Sequence, residues 1–167
     1  AGRPDRALDA IRTTEQPSYS ATMRQDRKRV EAVALLRLGK TDAAMAALEG
    51  LPDAPAIRAE MRWQVKDWGS FVTENALPAP KAGLSEPAQA AILRQAVALA
   101  MLGREDQLEA LHARYATAFK TLPSGQAFDV LTRKVGSIDP AAIGAAMSAI
   151  PQASPAGATG DLLDAAS

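Results

Sequence analysis

Leu35-Leu36-Arg37-Leu38-Gly39-Lys40-Thr41-Asp42-Ala43-Ala44-Met45 is the stretch on which the fold turns. Its centre, Gly39-Lys40-Thr41-Asp42, returns as Gly103-Arg104-Glu105-Asp106 and, at the start of the chain, as Gly2-Arg3-Pro4-Asp5. A fainter copy, Lys66-Asp67-Trp68, lies between the phrases at Gly39 and Gly103. Each glycine phrase is followed by apolar residues at helical spacing: Ala7, Leu8 and Ile11, then Ala44, Met45 and Leu48, then Leu108 and Leu111. A Gly-plus-polar turn recurring between apolar helices marks an array of helical hairpins. Such arrays hold partners more often than they do chemistry.

Working outward, the pattern predicts a first helix over Pro4 to Thr13, stopped by Pro17-Ser18, and a second over about Ser20 to Leu38. The second is polar at its start and apolar from Ala32 onward, so neighbouring hairpins must cover it. Gly39 is expected to end it in the left-handed conformation, and Gly103 to do the same for a later helix. Thr41 or Asp42 is expected to cap the next helix, which stops near Gly50-Leu51-Pro52. A third hairpin spans about Pro55 to Val65 and Asp67 to Leu77, with Asp67 as N-cap in a turn without glycine. After the loop Leu77 to Gly83, Ser85 and Pro87 open a helix with the apolar stripe Ile92, Leu93, Val97, Leu99 and Leu102. Helices over about Glu105 to Lys120, Ala127 to Lys134, and from a cap at Asp139-Pro140 to Ile150 complete the domain. The expected organisation is one domain over 1–150, with hairpins at about 1–14, 20–50, 55–77 and 85–120 and closing helices over 125–150. A flexible C-terminal tail over 151–167 follows.

Composition agrees. The chain of 167 residues is 47% hydrophobic but 4% aromatic, so Ala and Leu supply most of its apolar content, as in helices packed closely through small side chains. Net charge is zero, with 19 basic and 19 acidic residues, which argues against binding nucleic acid or an anionic membrane through bulk charge. Without cysteine there is neither disulfide nor thiolate metal site. No run reaches the about 18 apolar residues that read as a membrane span.

These residues together resemble the tetratricopeptide repeat. Ala32, Leu35, Gly39, Ala44 and Leu48 fall at that family's spacings, Ala96, Leu99, Gly103 and Leu108 repeat most of them, and Gly2, Ala7 and Ile11 supply a final half. The turns are separated by 37, 27 and 37 residues, where a regular array of this kind has 34. Arg62 and Phe71 in the third unit and Leu108 in the fourth depart from the pattern. The resemblance covers about residues 1–120 and implies an all-α fold: a right-handed superhelix of antiparallel hairpins, closed by shorter C-terminal helices. Arg62 to Trp68, the proline loop and the Ala/Leu-rich hairpin after it also look similar to the C-terminal part of long repeat proteins of alphaproteobacteria. With its first hairpin lacking a first helix, the chain is expected to be a fragment of such a protein. An upstream signal would then direct it to the bacterial periplasm, with the cytoplasm as the alternative.

Carried over residue by residue, the resemblance places Arg29, Val33, Leu36 and Arg37, together with Glu60, Trp63 and Gln64, on the first helices that line the concave groove. The implied function is a non-catalytic protein-interaction module that takes a peptide or a partner helix there. The alternative is a structural end segment of a larger scaffold, its surfaces used in stacking or self-association. A solvent-facing groove favours the first, and a groove filled by the C-terminal tail or a second copy favours the other. Catalysis is not expected: His112 is the sole histidine, no serine sits in a nucleophile elbow, and no phosphate loop occurs. No metal or other cofactor is expected either. Arg24, Arg27, Lys28 and Arg29 form the one basic run, read first as a solvated helix start paired with Asp26 and Glu31. Trp63, Trp68 and Phe71 gather within nine residues and are expected to pack mainly in the core.

Overall fold

Ser20 has the extended backbone of an N-cap and its hydroxyl oxygen accepts from the amide of Met23, and a long helix begins there. The computed structural model describes residues 3–14, 16–133 and 140–160, and every regular element among them is helical. In chain order these are α1 (Pro4–Thr13), α2 (Ala21–Arg37), α3 (Thr41–Ala47), α4 (Ala54–Gln64), α5 (Trp68–Glu74), α6 (Glu86–Met101), α7 (Glu105–Phe119), α8 (Gly125–Leu131) and α9 (Pro140–Ser148). The fold is all-α, as expected. No helix among the described residues is long and apolar enough to cross a membrane.

Three turns share one hydrogen-bond pattern. After α2 the amide of Gly39 donates to Leu36 O and that of Lys40 to Leu35 O, both at 2.9 Å. After α6 Gly103 donates to Ala100 O and Arg104 to Leu99 O, and after α4 Lys66 donates to Trp63 O and Asp67 to Arg62 O. Each is a Schellman close, which satisfies the last carbonyls of a helix by turning one residue left-handed. The φ values of +71° at Gly39, +65° at Gly103 and +58° at Lys66 show that residue directly. The turn leads straight into the next helix, so Lys40 takes the N-cap position of α3 and makes no side-chain cap. Thr41 and Asp42, expected as caps, lie inside the helix, where Asp42 faces the positive end of its dipole. Asp67 does cap α5, accepting from Ser70 N. Ser85 has the extended backbone of an N-cap without its side-chain bond. The cap expected at Asp139 and the turn at Gly2 lie outside the described residues.

Consecutive helices pack on one another at every step but α3 to α4, and two main cores result. Leu8, Ala32, Leu35, Ala44, Leu48, Ile57 and Met61 join α1 to α4. Ile92, Leu93, Leu108, Tyr115, Phe119, Phe128 and Leu131 join α6 to α8. Ala59, Phe71 and Ala98 bridge the two, with Trp63 and Trp68 against them. α8 packs on both α6 and α7. That tight end requires a glycine at 125, where a Cβ would come within 2.4 Å of Phe119 O. Helix α6 is the centre, for every residue from Gln89 to Leu99 is buried.

The segment expected to be a free tail is packed over its described part. Ser154 and Thr159 are buried, and Ala156 lies against the α1–α4 core. The reason is polar: Ser154 supplies a donor to a buried carboxylate 94 residues away. Residues 161–167 lie outside the described residues.

A Cβ at Gly39 or Gly103 would meet nothing within 4 Å, so backbone strain alone sets the cost of a side chain there. Gly39→Val or Gly103→Val should each lower stability by at least about 1 kcal/mol, and Lys66→Gly should raise it by about 1 kcal/mol. Urea unfolding of the three variants checks both signs.

Candidate functional site

The seven positions expected to line a groove fall into two groups with different surroundings. On α2, Val33 is buried in the α1–α4 core and Leu36 packs against it. Arg29 grips Asp53 with two parallel bonds, Nε to Oδ2 and Nη2 to Oδ1, each 2.9 Å. Its Nη1 reaches Asp26 at 2.7 Å. Asp53 stands at the N-cap position of α4 but makes no cap there, and so ties α4 to α2 instead. The Arg29 hydrogen bonds hold the Asp53 carboxyl below the usual carboxylate range. Arg37 is exposed and rims a small hollow with Val30 and Ala7.

The rest of the basic run is engaged by main-chain carbonyls. Arg27 donates to Ile11 O near the end of α1 and to Thr14 Oγ1, Arg24 donates to Tyr19 O, and Lys28 donates to Glu49 O beyond α3. Cations at carbonyl-rich helix ends are favourable. They fasten α1 and α3 to α2.

On α4, Glu60 is 2% exposed. Its Oε2 accepts from Arg94 Nη1 of α6 at 2.7 Å and from Ser154 Oγ at 2.6 Å. Its Oε1 is buried with no hydrogen-bond partner among the described residues. The Arg94 guanidinium also lies over the Trp63 ring, 5.2 Å from its centroid. Trp63 in turn meets Trp68 edge-on at 5.3 Å and Phe71 at 5.4 Å. Both residues of the i, i+3 pair on α5 thus converge on one tryptophan of α4. Beside them an open hollow of about 350 Å³ is lined by Trp63, Gln64, Arg94, Ile150, Pro151 and Gln152.

The sequence placed Glu60 on the expected groove and singled out neither Arg94 nor Ser154. The available signal was the matching anomaly: Arg94 is the one cation in the apolar run Gln89 to Leu99, and a buried charge requires a counter-charge. Nothing in the sequence marks Ser154, since its partner is chosen by the docking of residues 151–160.

A larger hollow of about 790 Å³ opens between α7 and α8, with His112, Lys120, Asp129 and Arg133 on its walls. His112 Nε2 is 3.4 Å from Asp129 and the ring stacks on Phe128. Among the described residues no three His, Asp or Glu side chains gather as metal ligands.

Removing one partner of a buried ion pair leaves an uncompensated charge and costs about 3–5 kcal/mol, whereas replacing both with apolar residues of like volume costs far less. Arg94→Met should therefore destabilise more than Arg94→Met combined with Glu60→Met, as urea unfolding of both variants would show. Around Asp53 the sign follows its lowered pKa. The stabilisation from Arg29 is present above the ordinary carboxylate range and is lost as pH falls through the lower folded value. Asp53→Asn should remove that part of the acid sensitivity, read as a smaller drop in Tm between pH 7 and pH 3.

In comparisons with known proteins no family model matches this chain, and neither a curated protein nor a solved structure does.

Proposed function

We propose that this chain is a non-catalytic, tetratricopeptide-like scaffold segment whose groove-side surfaces serve its own stacking. One observation carries the reading: part of the chain's own C-terminal stretch packs against α4, with the Ser154 hydroxyl on Glu60. Arg29 and Val33 are similarly engaged within the chain, by Asp53 and by the α1–α4 core. The repeat character draws support from the three like turns and from the ion pair Glu60–Arg94, whose members are 34 residues apart, one period of such arrays.

A second reading, a module that takes a peptide from another protein, is favoured by the open hollow beside Trp63 and Arg94. An aromatic ring and a cation at one depression are common anchors of binding energy.

Trp63→Ala separates the two. On the scaffold reading Trp63 holds α4, α5 and α6 together, so its loss should lower stability by roughly 2–4 kcal/mol, somewhat under the fully buried range because the ring is partly exposed. Thermal unfolding measures this. A variant as stable as the parent, yet unable to retain a protein that the parent captures from cell extract, would overturn the scaffold reading in favour of the module.

A further inference from the structure

We propose that the hollow walled by Trp63, Arg94, Ile150 and Pro151 binds a small organic acid, one carboxylate on an aromatic or branched aliphatic body. The inference goes beyond the scaffold reading, which makes no use of this hollow. It also names a small molecule where the module reading names a protein.

Three stretches far apart in the chain meet here: the end of α4 with Trp63 and Gln64, the middle of α6 with Arg94, and the residues after α9 with Ile150, Pro151 and Gln152. Depressions between helices that combine an apolar lining with a few placed polar groups are the usual seats of small ligands. The volume of about 350 Å³ lies at the small end of their range.

The placed polar group is Arg94. It is 6% exposed, yet among the described residues its guanidinium makes a single hydrogen bond, Nη1 to Glu60 Oε2. Its other N–H groups are unpaired but not sealed from solvent, and the hollow is the open space that Arg94 lines. A guanidinium presents a planar fork that matches both oxygens of a carboxylate. The Trp63 ring, 5.2 Å below, and the bond to Glu60 hold this fork in place before a ligand arrives. Nor does Glu60 exclude a second carboxylate, since Arg29 of the same chain holds Asp53 and Asp26 at once, at 2.9 and 2.7 Å. Glu60 is itself 2% exposed and not part of the walls, on which Arg94 is the one charge among the described residues. The apolar body of the acid meets Trp63, Met147, Ile150 and Pro151. Met147 is exposed and Trp63 half-buried, so both have apolar surface that a ligand would remove from water.

The test titrates phenylacetate, and phenylacetamide as its uncharged counterpart, into the isotope-labelled full chain while NMR follows the Arg94 Nε–H and Trp63 indole N–H signals. Phenylacetate should shift both with a Kd of about 1 mM or tighter, and phenylacetamide should bind at least about ten-fold more weakly. Gln152 is exposed at the rim, where a charge alters the field without disturbing the packing. Gln152→Lys should tighten phenylacetate binding about three-fold, Gln152→Glu should loosen it about as much, and neither should change binding of the amide. Arg94→Met combined with Glu60→Met should bind acid and amide alike. Should that pair of substitutions fail to fold, the two Gln152 variants decide. Acid and amide bound alike by the parent, no binding up to about 10 mM, or shifts that spare Arg94 and Trp63 overturn the site. So do Gln152 variants without opposite effects. An acetylated tetrapeptide ending in phenylalanine that binds about ten-fold more tightly than phenylacetate overturns the small acid in favour of a chain end. None of these readouts depends on the stability of Trp63→Ala, so the scaffold reading and the acid site can fail separately.

Discussion

A helix that offers no face to water obliges the rest of the chain to surround it, and α6 is that helix. From Gln89 to Leu99 every side chain is buried, including three polar ones. Each of the three must find a partner in the interior, since an unmatched buried polar group costs on the order of kilocalories. Gln89 donates to Leu84 O and accepts from Ser124 before α8. Gln95 accepts from Asn75 at the end of α5 and donates to Val72 O. Arg94 pairs with Glu60 of α4. Apolar burial draws helices against α6 without regard to direction. The three polar side chains state which neighbour goes where.

The same division of labour appears around α2. Its apolar half is covered by α1, α3 and the residues of α4, while its basic half fastens loop and helix ends through Arg24, Arg27, Lys28 and Arg29. An exposed run of this kind would be worth little to stability one pair at a time. Here the cations reach main-chain carbonyls and a bidentate carboxylate, where geometry makes each bond stronger. The cluster thus works as a set of clamps between hairpins.

Much of the element order was legible in the sequence. The helix over Pro4–Thr13 and the turns at Gly39, Lys66 and Gly103 follow from proline, glycine and apolar spacing, and these act within a few residues. Caps were less legible. Thr41 and Asp42 have the right chemistry, yet the Schellman turn leaves Lys40 at the cap position. The turn at Lys66 closes by the same bonds as the two glycine turns, with a lysine held at φ +58° against its local preference.

The site divides along the same line. The sequence by itself determined that Glu60 and the Trp63–Trp68–Phe71 group were unusual, because a carboxylate in an apolar helix and clustered tryptophans are visible without coordinates. Only the tertiary structure decided that Arg94 answers Glu60, that Ser154 arrives from 94 residues away, and that residues 151–160 are packed. Turn chemistry is local, so it can be read along the chain. The partner of a buried charge is whatever the fold brings within 3 Å, and no spacing of residues announces it.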